Sequence, residues 1–163
     1  MDDTLALPIN YVATEWDKRQ LRMAMGEINT WSKDPSTKVS ATLFKDKHPI
    51  ASSYNGLPAG VEDTYVRLHN RELKYKLVQH AEANIVAVCA KLGIATDGCT
   101  LAVTHFPCTT CAGQLITAGI KKIIINKPTE DFESRWGESN KLAFEILNEA
   151  GVEFIVIDMS QEN

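Results

Sequence analysis

Residues 100–125 read TLAVTHFPCTTCAGQLITAGIKKIII, and the fold follows from them. Residues 100–104 are a short apolar run rich in threonine and valine, which predicts a strand. Residues 108–118 predict a helix stopped by Gly119, and Ile123-Ile124-Ile125 is a solidly apolar strand of the kind buried in parallel sheets. Upstream, residues 81–92 are strong helix formers closed by Gly93 in a C-cap position. Downstream, residues 138–150 predict a helix stopped by Gly151, and residues 152–157 a last strand. From Ala81 onward the order is helix, strand, helix, strand, helix, strand. Such alternation predicts an α/β domain whose sheet is parallel in its second half.

The first half reads differently. Trp16, Leu21, Met23, Met25, Ile28 and Trp31 recur at three-to-four spacing with charges between them, predicting an amphipathic helix over 16–32. Asp34-Pro35-Ser36 is a turn. Residues 39–45 and 49–53 flank Asp46-Lys47 and predict a β-hairpin. Asn55-Gly56 and Pro58-Ala59-Gly60 open a long connection running to about Gln79. There is no internal repeat and no low-complexity segment.

The 163 residues suit a single domain, with residues 1–10 and 159–163 expected to fray. An apolar fraction of 44% and a charged fraction of 23% are those of a soluble globular protein. No stretch approaches the roughly 18 apolar residues of a membrane helix. The acidic Met1-Asp2-Asp3-Thr4 start does not read as a secretory or transit peptide, so the expected compartment is the cytoplasm. A net charge of −4 argues against a broad nucleic-acid surface. Four cysteines, Cys89, Cys99, Cys108 and Cys111, are too few for a disulfide scaffold, which raises the question of metal binding.

His80-Ala81-Glu82 and Pro107-Cys108-Thr109-Thr110-Cys111 each stand at the start of a predicted helix. Cys108 and Cys111, three apart on a helical turn, bring two sulfurs to one face, a half-site for zinc. The positive helix end also favours thiolate. His80 supplies a third ligand. Glu82, two residues on, points elsewhere and suits proton transfer to something held on the metal. Three ligands leave a fourth position for water, which is what separates catalytic from structural zinc. Two other readings stay open: a redox Cys-x-x-Cys pair, and a structural zinc completed by Cys89, Cys99, His48, His69 or His105.

The H-x-E…P-C-x-x-C pattern resembles that of the zinc nucleobase deaminases. Within the cytidine deaminase-like superfamily the chain is similar to the deoxycytidylate (dCMP) deaminases. The similarity lies in Asp34-Pro35-Ser36-Thr37-Lys38-Val39, Tyr54-Asn55-Gly56-Leu57-Pro58, the segment from Tyr75 to Glu82, and Gly119-Ile120-Lys121-Lys122. It implies a three-layer α/β/α sandwich with a five-stranded mixed sheet. It also implies hydrolysis of dCMP to dUMP, feeding thymidylate synthesis. In that scheme a zinc-bound hydroxide attacks C4, and Glu82 protonates N3 and then the departing ammonia.

Asn55 matches the family asparagine that contacts substrate, and the Ala81 N–H is a candidate for a pyrimidine carbonyl. For the phosphate, Ser36, Thr37 and Lys38 are favoured over Arg67, Arg71, Lys74 and Lys76, whose alternative is a solvated helix face. Some members bind regulatory dCTP or dTTP in that connection, and members are generally homo-oligomers, often hexamers. The chain departs from the family at Ser40, usually glycine, and at His105. It also departs where Lys127 to Phe132, followed by Arg135-Trp136, replaces a tyrosine near the substrate. These departures leave dCTP or a 5-substituted dCMP as alternative substrates.

Overall fold

The computed structural model describes residues 13–162. Helix α1 spans Glu15–Met25 and α2 spans Glu27–Thr30. Strands β1 (Ser40–Lys45) and β2 (His48–Tyr54) follow, then α3 (Tyr65–His69), α4 (Arg71–Leu77) and α5 (Ala81–Leu92). The chain continues as β3 (Thr100–Val103), α6 (Thr109–Thr117), β4 (Lys122–Asn126), α7 (Glu130–Glu149) and β5 (Glu153–Ile157). The five strands form one sheet in the order β2-β1-β3-β4-β5. β1 is antiparallel to β2 and β3, whereas β3, β4 and β5 are mutually parallel. The mixed α/β sheet is therefore the one expected.

The period-two pleat sends alternate side chains to opposite faces. Leu43, Leu101, Val103, Ile123, Ile125 and Phe154 join Ile85 of α5, Leu115 of α6 and Leu147 of α7 in one core. Phe44, Ala102, Ile124, Ile155 and Ile157 join Leu21 and Ala24 of α1 in the other. That is the α/β/α layering, and it explains why the central strands read as continuous apolar runs: both faces are covered.

The structure corrects four sequence-based boundaries. The helix expected over 16–32 breaks at Gly26, which leaves helical geometry (ψ −139°) before α2 resumes. Thr14 caps α1 by a reciprocal box with Asp17: the Asp17 N–H donates to Thr14 Oγ1 at 3.2 Å, and the Thr14 N–H to Asp17 Oδ2 at 2.8 Å. The long connection contains α3 and α4, capped by Thr64 and Asn70. Helix α7 begins at Glu130 rather than 138, started by a Thr129 cap with three acidic residues in its first turn. Residues Met159–Gln161 form a 3₁₀ turn rather than a frayed end; Met159 packs against the α1-side core and its N–H donates to Asn126 Oδ1. The expectation for residues 1–10 lies outside the described residues. The hairpin turn is as expected, with Asp46 and Lys47 both at positive φ (48° and 68°).

One ion pair ties α1 to the sheet. Lys122 Nζ of β4 lies 2.6 Å from Asp17 Oδ1, whose side chain is 3% exposed. Burial alone would raise the Asp17 carboxyl, but Lys122 and the Thr14 donors outweigh it and hold it below its ordinary 3.8. A depressed carboxyl contributes stability that is complete above its unfolded pKa and is lost as pH falls through the folded one. Asp17→Asn is therefore expected to cost about 2 kcal/mol at pH 7 in urea titrations. The gap between variant and wild type should close on acidification; a gap independent of pH would disprove the ionic contribution.

Candidate active site

Strands β2 and β3 run in the same direction, both antiparallel to β1, and helices α5 and α6, which follow them in the chain, start close together. His80 is the N-cap of α5 and Cys108 the N-cap of α6, with Cys111 one turn further. Gln79, beside His80, is pinned to the end of β2 by paired backbone bonds with Gly56 at 2.8 and 3.1 Å. His80 Nδ1 lies 3.5 Å from both Cys108 Sγ and Cys111 Sγ. With Zn–S near 2.3 Å and Zn–N near 2.0–2.1 Å, a tetrahedral site has an N···S edge of about 3.6 Å. Both N···S edges match that value and the three ligand atoms lie within 4.8 Å of one another, so they could hold a zinc ion. Among the described residues they form the only cluster of three or more His, Cys, Asp or Glu ligand atoms. None of Cys89, Cys99, His48, His69 and His105 joins them, so among the described residues no fourth protein ligand closes the site.

The electrostatics ask for a cation. The Cys108 sulfur is held as thiolate, its pKa lowered to about 4 by Cys111 and His80. That negative charge, together with burial, drives the Cys111 thiol upward. Burial pushes Glu82, 4% exposed, up to about 7. Two thiols and a carboxyl cannot all ionise here unaided; a dication among them reverses that, and zinc fits the donor set.

His80, Glu82 and Cys108 line a cavity of about 190 Å³. Asn55, Glu82, His105, Phe106 and Asn140 line it, as do Ser36, Thr37, Lys74 and Tyr75 nearer the loops. Asn55 reaches it, yet its carboxamide is mostly engaged. Oδ1 accepts from Ser32 Oγ (2.7 Å) and the Val39 N–H (2.9 Å), and Nδ2 donates to Thr37 O (2.9 Å). It therefore staples the 32–39 loop to the end of β2, keeping one N–H free. Ala81 is buried between two lining residues, its N–H among the four that a helix start leaves without an intrahelical acceptor.

Ser36 and Thr37 line the cavity; Lys38 is exposed and outside the lining. Lys74 instead turns inward, donating to Asp34 Oδ1 at 3.0 Å and to Ser36 Oγ. Burial would raise Asp34, but the Thr37 and Ser36 N–H groups and Lys74 hold it below its ordinary range. His105 lines the cavity too, as a half-buried imidazole whose pKa desolvation lowers from its ordinary 6.5, with Phe132 packed edge-on at 5.6 Å. Arg135, Ser139 and Asn140 complete the wall and went unrecognised in the sequence. Their signal was the helical spacing of Phe132, Trp136, Asn140, Ala143 and Leu147, obscured by Gly137 and the polar residues between.

Residues 14–127 match the family described as the cytidine and deoxycytidylate deaminase zinc-binding region. An uncharacterized deaminase from the luxG 3′ region of Aliivibrio fischeri is 41% identical over 140 residues, 86% of this chain and 92% of that one. Human deoxycytidylate deaminase is 34% identical over 149 residues, 81% and 79% of the two chains. The crystal structure of dCMP deaminase from cyanophage S-TIM5 superposes with a TM-score of 0.70 at 25% identity, covering 90% of this chain and all of the other.

Proposed function

The chain belongs to the cytidine and deoxycytidylate deaminase zinc-binding family, and from that premise we propose that it hydrolyses dCMP to dUMP and ammonia. The observation that carries this reading is the buried Glu82 carboxyl beside a cluster of three zinc-ligand atoms that opens on a cavity. When bound by His80, Cys108 and Cys111, zinc supplies Lewis acidity that makes water nucleophilic near neutral pH. Glu82 accepts the proton of the attacking water and passes it to N3 of the ring. It then carries the second water proton to the departing amine, so ammonia leaves and C4 ends as a carbonyl. A carboxyl lifted toward neutrality by burial is suited to both transfers.

Phe106 gives the ring an apolar flank beside the His105 imidazole, and the Ala81 N–H and the remaining Asn55 N–H are donors toward the nucleoside. Ser36 and Thr37, with Lys74 beside them, receive the phosphate; Lys38 has no place in that set because it lies off the cavity. Cytoplasmic location, a homo-oligomer and dCTP or dTTP effectors belong to the same proposal. Large apolar side chains left on the surface, such as Trp31 and Leu92, support the homo-oligomer.

Zinc-loaded protein is expected to release ammonia from dCMP faster than from deoxycytidine, dCTP or 5-methyl-dCMP, followed by the ultraviolet change of cytosine to uracil. No turnover of any cytosine mononucleotide would overturn the assignment. Preference for dCTP or the 5-substituted compound would redirect it.

A further inference from the structure

Phe132, Trp136, Asn140, Ala143 and Leu147 lie on one face of α7, at helical spacing. The C-terminal half of this face enters the core through Ala143 and Leu147. In the N-terminal half Phe132 packs against the core and His105, while Phe132, Trp136, Ser139 and Asn140 also border the cavity. Exposure falls along it, from 41% at Trp136 to 8% at Asn140. The side-chain hydrogen bonds of α7 involve Thr129, Asp131, Ser134 and Arg135. Among the described residues none reaches the Asn140 carboxamide.

No fully sealed side-chain nitrogen or oxygen among the described residues lacks a hydrogen-bond partner, so the Asn140 amide atoms keep access to the cavity, where an apolar residue would continue the face that Ala143 and Leu147 define. Asn55, the other carboxamide in the cavity, has three of its four hydrogen-bonding positions filled by the chain. Among the described residues no group fills any of the four positions of Asn140. Two asparagines therefore divide the work: one holds a loop, and the other faces empty space with its full capacity.

We propose that Asn140 binds the substrate's pyrimidine base through its carboxamide, an inference resting on the pyrimidine-nucleotide reading above. The reacting ring carbon must reach the metal centre beside Glu82, so the base occupies the deep end of the cavity. The sugar phosphate is left nearer the exposed Ser36 and Thr37. Asn140, 8% exposed, is with Glu82 and Asn55 among the least accessible residues of the lining. The C2 carbonyl, common to cytosine and uracil, is an acceptor for an amide N–H, so substrate and product are both held.

Asn140→Leu tests this, because it removes the hydrogen bonds while keeping similar volume and better helix propensity. Four quantities are compared with wild type: KM for dCMP, the inhibition constants of dUMP and of 2-deoxyribose 5-phosphate, and the ligand-free melting temperature. KM and the dUMP constant should rise about tenfold, as for one lost hydrogen bond in a closed site. Inhibition by the baseless sugar phosphate should stay within about twofold, and the melting temperature should rise. A lower melting temperature with KM unmoved would make Asn140 structural and overturn the proposal, as would equal weakening of the sugar phosphate. Wild type inactive on every cytosine nucleotide would instead remove the underlying functional reading.

Discussion

Glu82→Gln is expected to lower the turnover of dCMP on the order of 10²–10⁴-fold while the protein keeps its zinc. Glutamine preserves the shape and much of the hydrogen bonding of glutamate but cannot accept and return a proton near neutral pH. The side chain is 4% exposed and stands two residues from His80 without being part of the three-atom cluster. Zinc by elemental analysis should therefore match wild type, and the ligand-free melting temperature should not fall, since the substitution removes an ionisable group from a desolvated position. KM should change far less than kcat, because the missing proton transfer belongs to the transition state. Undiminished turnover would sink the proton-shuttle role; loss of zinc together with activity would mean that Glu82 supports the metal.

Cys111→Ala should abolish activity by a different route. Cys111 is 3% exposed and supplies one of the three ligand atoms; without it His80 and Cys108 remain. Loss of a group that merely orients a ligand typically weakens metal binding about 10–100-fold, so loss of the ligand itself should exceed that. Dialysis against a mild chelator is expected to strip zinc from the variant under conditions that leave wild type loaded. Cys89→Ala, a buried cysteine outside the cluster, is the matched control and should retain zinc. A Cys111 variant that stays loaded and active would exclude it from the ligand set.

Much of this site was legible because its elements are local. Cys108 and Cys111 share a helical turn, His80 and Glu82 share a helix start, and short-range geometry follows from spacing alone. The parallel strands were legible for a related reason: a sheet covered on both faces leaves no polar alternation, and Ile123-Ile124-Ile125 shows none. The 16–32 helix was misjudged because periodicity on both sides of Gly26 outweighed one backbone break. The first two turns of α7 were missed because their face looks onto a cavity, so Arg135 and Gly137 interrupt the apolar spacing set by Phe132 and Trp136.

The sequence by itself determined the α/β alternation, the zinc donors and the position of a carboxyl beside them. His80 with Glu82, and Cys108 with Cys111, lie within a few positions of each other, whereas the meeting of the two pairs across 28 residues is tertiary. Tertiary structure alone decided which side chains meet the substrate cavity from a distance. It brought Lys74 onto Asp34 and Ser36, left Lys38 outside, spent the Asn55 carboxamide on the 32–39 loop and left that of Asn140 open. These outcomes depend on how helices and loops far apart in the chain pack over one end of a sheet, and no local pattern carries that information.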